Sequence, residues 1–189
     1  MSQPPKHIIG IDPGLRVTGY GVLAIVDGEP SLAEGGVIKS DSAAPLEQRL
    51  RQLHAGVEKV LADFPPDVVA VEDLWTHYEH PRTAVLMGHA RGVIYLAAVQ
   101  AGAEVAAYPP ALVKRSLTGN GRAPKDQVAR MVAQLLGMDT PPKPADVTDA
   151  LALALCHCVP SRTRMARPRK HRKQLPESIA KLIEDSERS

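Results

Sequence analysis

The pattern of apolar and polar residues predicts three strands near the N-terminus. Residues 7–12 form a short apolar run that ends in Asp-Pro-Gly, which is typical of a strand followed by a tight turn. A strand pattern resumes at 17–26 and again, after a turn at 28–30, at 31–39. Because only short turns separate the three strands, we expect an antiparallel meander.

The rest of the chain alternates helix and strand patterns before a run of three helices. The predicted elements are a helix from Pro45 through Leu61, a strand at 67–74, a long helix at 82–101, a strand at 104–108, and helices near 110–118, 124–136 and 144–158. The order βββαβαβααα predicts a mixed α/β fold. Its five-stranded sheet would begin antiparallel and continue in parallel βαβ units, with helices on both faces.

The apolar periodicity stops after Pro160. This predicts one domain at 1–159 and a disordered tail at 160–189. The tail holds nine Lys/Arg and four Asp/Glu, or +5, whereas 1–159 carry 14 minus 17, or −3. A basic end of this kind is typical either of a phosphate-backbone contact or of a solubilising tail.

Hydropathy argues against a membrane protein. No run approaches eighteen uncharged apolar residues, and the N-terminus lacks the apolar core of a secretory signal, so we expect a cytoplasmic protein. Cys156 and Cys158 are too few ligands for a structural zinc site, and we expect them at a buried helix end.

Four carboxylates occupy positions that suggest shared chemistry. Asp12 ends the first strand and Glu72 lies near the end of the strand at 67–74, so both emerge side by side if these strands are neighbours. Asp146 and Asp149 are spaced i, i+3 and share one face of the last helix. Acids in apolar segments are costly without compensation, and four carboxylates are a ligand set for Mg²⁺ or Mn²⁺. Two such ions could serve phosphodiester hydrolysis.

Each of these acids also has a structural alternative. Asp12 could cap the Asp-Pro-Gly turn, Glu72 could be a solvated strand-end acid, and Asp146 could be the N-cap of its helix. The coincidence of all four with strand ends and one helix face favours a shared metal site. Asp73 should point to the opposite sheet face from Glu72 and is left out of the site.

Four segments, at 9–21, 71–75, 88–93 and 145–152, resemble the motifs of RuvC-type Holliday-junction resolvases, the crossover junction endodeoxyribonucleases. Their order and spacing agree over residues 7–158. The resemblance implies an RNase H-like fold, a homodimer, and paired Mg²⁺-dependent nicks in four-way DNA junctions during recombination and repair. It implies a RuvA/RuvB-type branch-migration complex as a partner. It also implies two Mg²⁺ per active site, with Mn²⁺ as a substitute, and it assigns catalysis and metal binding to Asp12, Glu72, Asp146 and Asp149.

The resemblance further implies DNA contacts at Lys114, Lys125 and Trp75. Between residues 114 and 130 five Lys/Arg outnumber one Asp, giving +4, which fits a DNA-facing surface but also two ordinary solvated helix faces. Trp75, the only Trp in the chain, could stack on an unpaired base at the crossover or lie in the core. The loop at 76–81 and His89 depart from the family pattern, which puts junction contacts by that loop in doubt.

The long helix at 82–101 is the expected dimer contact. Ala84, Gly88 and Gly92 lie at steps of four and form a row of small residues. Either a partner helix or an element of the same subunit could approach this row closely, and the small residues could instead pack only on the sheet. Flanking apolar contacts would come from Val85, Leu86, Val93 and Leu96.

Three other functions compete with junction resolution. An actin-like ATPase or sugar kinase would need a second Asp-x-Gly motif, and outside residues 12–14 the chain has none. A small RNase H-like nuclease acting on another nucleic acid would share the acidic cluster. A junction-binding module without activity would be expected to lack one of the carboxylates, and all four are present.

Overall fold

A five-stranded sheet of order β3-β2-β1-β4-β5 organises the protein. The computed structural model describes residues 6–73 and 81–158. The strands are β1 (Lys6–Asp12), β2 (Val17–Val26), β3 (Glu29–Lys39), β4 (Val68–Glu72) and β5 (Glu104–Tyr108), and the helices are α1 (Leu46–Asp63), α2 (Pro81–Gln100), α3 (Pro110–Thr118), α4 (Lys125–Leu135) and α5 (Ala145–Cys158). The β1–β2 and β2–β3 pairs are antiparallel and the β1–β4 and β4–β5 pairs are parallel. The mixed five-stranded α/β fold is therefore confirmed.

Two predicted strand boundaries are wrong by two residues. The turn between β2 and β3 lies at Asp27-Gly28, where φ is 53° and 86°. Positive φ at both central residues is typical of a two-residue hairpin, so β3 begins at Glu29 and includes Pro30. Pro30 is tolerated because β3 is an edge strand. The strand predicted at 67–74 covers only Val68–Glu72, because its neighbour β1 ends at Asp12 and offers no further partner.

The two faces of the sheet carry different cores. On one face, β-branched side chains of the three central strands, Ile9, Ile11, Val22, Val69 and Val71, are almost fully buried beneath α1 and α2. On the other face, α5 packs directly on β1 and β2, and α3 and α4 pack on α5. Residues 147–156 of α5 are all buried or nearly so apart from Asp149. Such a helix, apolar nearly all round, is typical of an interior element.

Glycines on β1 and β2 permit the close approach of α5. A Cβ at Gly10 would stand 1.8 Å from the Ala150 carbonyl oxygen, and one at Gly19 would stand 2.1 Å from that of Asp146. Gly21 likewise leaves room for Leu151. Any side chain at these positions would push α5 away, so the glycines set the distance between α5 and the strand ends.

Two expectations from composition can be compared with the structure. Cys156 is buried and Cys158 is partly buried in the last turn of α5, as predicted. Within residues 6–73 and 81–158, no helix has both the length and the hydropathy needed to span a bilayer.

Candidate active site

Asp12 and Glu72 emerge together at the carboxyl ends of two adjacent parallel strands. Ile11 of β1 is in register with Val71 of β4. The residues that follow them, Asp12 and Glu72, are therefore neighbours across the two strands. Because side chains alternate along a strand, Asp12 shares its face with Gly10, and Glu72 shares its face with Ala70. Both carboxylates therefore lie on the face covered by α5, and the predicted adjacency is confirmed.

The turn that follows Asp12 is closed by other residues. The buried Thr18 hydroxyl donates to the Gly14 carbonyl at 2.6 Å and accepts from the Gly14 N–H at 3.2 Å. Gly14 has no room for a side chain, since a Cβ would stand 2.0 Å from the Val17 carbonyl oxygen. Thr18 thus closes this turn from β2, whereas the Asp12 carboxylate lines the pocket on the α5 face.

α5 carries Asp146 and Asp149 to the same place. Asp146 is the second residue of α5 and lies in its first turn, so the alternative that it is the N-cap is wrong. Gly19 is paired with Asp12 in the sheet. Because Gly19 has no side chain, the main chain of Asp146 packs directly against it. Asp149 follows three residues later and faces the same pocket as Asp12 and Glu72. Asp146 does not line this pocket, but its charge still contributes to raising the pKa of Asp12.

The electrostatics of the site show uncompensated negative charge. Burial, followed by the charges of Glu72, Asp149 and Asp146 in that order, raises the pKa of Asp12 to about 7, against a lowering by Lys125. Burial and then Asp149 also raise the pKa of Glu72. Raised carboxyl pKa values of this kind indicate that Lys125 balances the clustered negative charge only in part. A cation placed among them would relieve the repulsion.

Two lysines line the acidic pocket. Lys114 of α3 and Lys125 at the start of α4 contribute to the wall of a cavity of about 120 Å³ that also includes Asp12, Glu72 and Asp149. The Lys125 ammonium donates to Asp149 Oδ2 at 2.9 Å, and this bond raises the pKa of Lys125. Both lysines are predicted DNA contacts, and both line the same cavity as the carboxylates.

The donor set suits a hard divalent cation. Carboxylate oxygens are the ligands that Mg²⁺ and Mn²⁺ prefer, and the Lys125 ammonium already neutralises part of the charge, as an ion would. In the described part of the chain, no three His, Cys, Asp or Glu side chains stand close enough to enclose an ion as they are placed. The chemistry of the side chains and the negative charge of the pocket nevertheless fit a metal ion. Its ligands would include Asp12, Glu72 and Asp149, the carboxylates that line the pocket.

Some predicted contacts lie outside the described residues. These are Trp75, most of the loop at 76–81, and the basic tail at 160–189. Their roles stay predictions.

Sequence reasoning missed Arg91 of α2. Its side chain is only 8% exposed, and it donates to the Glu72 carbonyl, to Asp73 Oδ1 at 3.3 Å and to the Tyr95 hydroxyl. The sequence predicts for the segment 88–93 a family-like motif and part of a row of small residues, but no role for Arg91. An arginine within an otherwise apolar and small helix segment was the available signal, because buried charge needs partners.

The sheet order and the acidic strand ends define an RNase H-like resolvase fold. The family model "Crossover junction endodeoxyribonuclease RuvC" matches residues 8–157, and the chain belongs to this family.

Individual relatives agree with this assignment. The chain is 51% identical over 149 residues to the crossover junction endodeoxyribonuclease RuvC of Rhodopirellula baltica, covering 79% of this chain and 84% of the relative. It is similar to the Thermus thermophilus RuvC structure, with a TM-score of 0.76 and 38% identity over 82% of this chain and 95% of that one. A structure of T. thermophilus RuvC in complex with Holliday junction substrate gives 0.74 and 37%, over 83% and 95%.

Proposed function

We propose that this protein resolves four-way DNA junctions by paired, Mg²⁺-dependent hydrolysis of phosphodiester bonds in recombination and repair. The observation that carries the proposal is the convergence of three carboxylates, one from β4 and two from α5, on Asp12, whose pKa burial and these charges raise to about 7. Membership of the RuvC family supports the reaction. The T. thermophilus RuvC bound to Holliday junction substrate supports the substrate.

The proposed catalytic and metal-binding residues are Asp12, Glu72, Asp146 and Asp149. Two bound Mg²⁺ ions, for which Mn²⁺ can substitute, would supply an activated water and stabilise the leaving oxygen. The chain's own task is to hold the carboxylates in place on β1, β4 and α5. Lys114 and Lys125, on the pocket wall, would contact the DNA backbone and balance charge at the scissile phosphate.

We also propose that the protein acts as a homodimer through α2. Among residues 6–73 and 81–158, a Cβ at Gly88 or Gly92 would meet nothing within 4 Å, so these glycines do not pack on the sheet. Beside them Val85, Leu96 and Val99 are 58%, 53% and 65% exposed. A two-fold dimer would present one site to each symmetry-related strand of a junction. Ala84, Leu86 and Val93 are partly buried at the margins.

The remaining parts of the proposal rest on sequence and family. Trp75 would stack on a base at the crossover, and the basic tail at 160–189 would follow the one globular domain and add backbone contacts. A RuvA/RuvB-type branch-migration complex would be the protein partner. The cytoplasm would be the location, since bacterial members of the family act on DNA.

Cleavage of defined substrates tests the proposed reaction. Purified protein with Mg²⁺ should nick a four-way junction at two symmetric positions and leave linear duplex and RNA/DNA hybrid intact. Cleavage of the hybrid would indicate another RNase H-like activity, and binding without cleavage would indicate an inactive junction-binding module. Either result would overturn the proposal.

Sedimentation tests the dimer. Gly88→Leu should weaken wild-type self-association and convert paired nicks into single ones, whereas Gly137→Asn, at a positive-φ glycine outside α2, should not. A wild-type monomer that still makes paired nicks would exclude the α2 dimer.

A further inference from the structure

We infer that Arg91 is a positioning residue that fixes the orientation of Glu72 by holding the peptide group that follows it. The inference rests on the proposed function, because Glu72 is one of its metal-binding carboxylates. The peptide between Glu72 and Asp73 is held from both sides. Its N–H donates to the Tyr108 carbonyl at 2.8 Å, and its carbonyl accepts from the Arg91 guanidinium.

The ladder of the sheet leaves this carbonyl without a strand partner. The N–H of a trans peptide points away from its carbonyl, so the carbonyl faces away from β5, towards β1. There the chain continues from Asp12 into Pro13, which has no N–H to donate. Arg91 supplies from α2 the hydrogen bond that the proline withholds. The same Asp-Pro step that turns β1 away from the site thus creates the need for a donor beneath Glu72.

Arg91 is itself held in one geometry. Its second nitrogen donates to Asp73 Oδ1 at 3.3 Å and to the Tyr95 hydroxyl, and its guanidinium carbon lies 5.2 Å from the centre of the Tyr95 ring. A planar guanidinium binds several acceptors in fixed directions, which an ammonium cannot do. The buried guanidinium therefore has three hydrogen-bond acceptors. Two of them belong to Glu72 and Asp73, at the end of β4.

Arg91 can orient Glu72 without touching its carboxylate. Arg91 touches the backbone of Glu72 from the α1/α2 face, whereas the Glu72 carboxylate lies on the α5 face with Asp12 and Asp149. The guanidinium thus acts on the carboxylate through the main chain.

Local hydrogen exchange and metal binding test this role together. In Arg91→Met the Asp73 amide should exchange about tenfold faster, while core amides of α1 such as Leu53 and Val57 keep their wild-type rates. Mn²⁺ affinity measured by calorimetry should fall about tenfold, and junction cleavage at limiting Mn²⁺ should fall by at least as much. Junction affinity without metal should be unchanged. Arg51→Gln, which removes an exposed charge from α1, is the control.

Conservative variants distinguish positioning from stabilisation. Arg91→Lys keeps the charge and one donor, so it should recover part of the Mn²⁺ affinity, and Asp73→Asn keeps the carbonyl contact and should change the affinity less than Arg91→Met does. Uniformly faster exchange with unchanged Mn²⁺ affinity would show a merely structural arginine and overturn the inference. If Arg91→Met does not fold, the same comparison of Arg91→Lys with wild type decides.

Glu72→Gln separates this inference from the proposed function. If Glu72→Gln weakens Mn²⁺ binding and the Arg91 variants do not, only the positioning role fails. If Glu72→Gln leaves Mn²⁺ binding unchanged, Glu72 is not a ligand and the proposed site fails. The exchange rate of the Asp73 amide then still reports whether Arg91 holds the strand end.

Discussion

The two faces of the sheet are built to different rules. The α1/α2 face buries large β-branched side chains such as Ile9, Ile11 and Val71, which keep the helices at ordinary packing distance. The α5 face instead presents Gly10, Gly19 and Gly21, which bring a helix main chain onto the strands. The first face stabilises the fold by apolar burial. The second gives up side-chain contacts so that carboxylates from a helix and from two strands can meet.

Glu72 and Asp73 show the same difference at neighbouring positions. Glu72 faces other carboxylates, and its pKa is raised by burial and by Asp149. Asp73 faces the opposite way, as predicted, and forms an ion pair with Arg91 at 3.3 Å. One step along a strand therefore changes an acid from an uncompensated member of a site to a paired group. What distinguishes the α5 face is an excess of carboxylates, which the Lys125–Asp149 ion pair balances only in part.

The largest expected effect is on catalysis. Changing Asp12, Glu72, Asp146 or Asp149 to its amide should lower single-turnover junction cleavage by about a thousandfold or more, because each removes a proposed metal ligand. Junction binding should persist or strengthen, since negative charge is removed. Asp63→Asn on α1 is the control from the other face. An Asp146→Asn protein that cleaves at the wild-type rate would remove Asp146 from the site.

The next effect concerns stability and pH. With a pKa of about 7 in the fold against an ordinary 3.8, Asp12 keeps a proton that the unfolded chain loses, so its contribution makes stability fall as pH rises from about 4 to about 7. At pH 8 without divalent metal, Asp12→Asn should be up to about 4 kcal/mol more stable than wild type, and below about pH 4 the two should be equal. Denaturant melts across this range measure the difference. Asp63→Asn should show no such pH-dependent difference from wild type. A gain in the stability of Asp12→Asn that does not change with pH would contradict the raised pKa.

A packing effect of similar size is expected at Gly19. Gly19→Ala places a Cβ 2.1 Å from the Asp146 carbonyl oxygen, so α5 must move, at a cost of about 3 kcal/mol. Gly36→Ala is the matched control, because its Cβ would meet the Tyr20 hydroxyl at 2.7 Å, the end of a side chain that can shift. Gly19→Ala should lower both the melting temperature and the Mn²⁺ affinity. Equal melts for the two variants would show that α5 tolerates displacement.

The smallest expected effect is at Lys125. Lys125→Ala removes the ammonium that binds Asp149 at 2.9 Å, and cleavage should fall about tenfold to a hundredfold, with junction affinity changed much less. Lys59→Ala, on α1, removes an equally exposed lysine that pairs with Asp63, and it should leave cleavage unchanged. Equal losses of binding and cleavage would make Lys125 a general backbone contact.

Much of the fold was predictable because hydrophobic periodicity is local. Strands at 17–26 and 104–108 and a helix at 110–118 were predicted with the bounds that the structure shows. Errors occurred where tertiary partners decide. β4 ends at Glu72 because β1 turns away at Pro13, and the hairpin turn lies at Asp27-Gly28 because both residues adopt positive φ. Neither cause can be read from periodicity.

The sequence by itself determined which elements form, which residues are acidic at strand ends, and which family the motifs resemble. These properties depend on residues close together in the chain. The tertiary structure alone decided that the acids meet, that Asp12 is buried among three other charges, and that Arg91 reaches the carbonyl of Glu72. Proximity between remote segments follows from strand register and from glycines that admit α5, and burial follows from packing. Charge interactions therefore become known only once the helices are seated on the sheet.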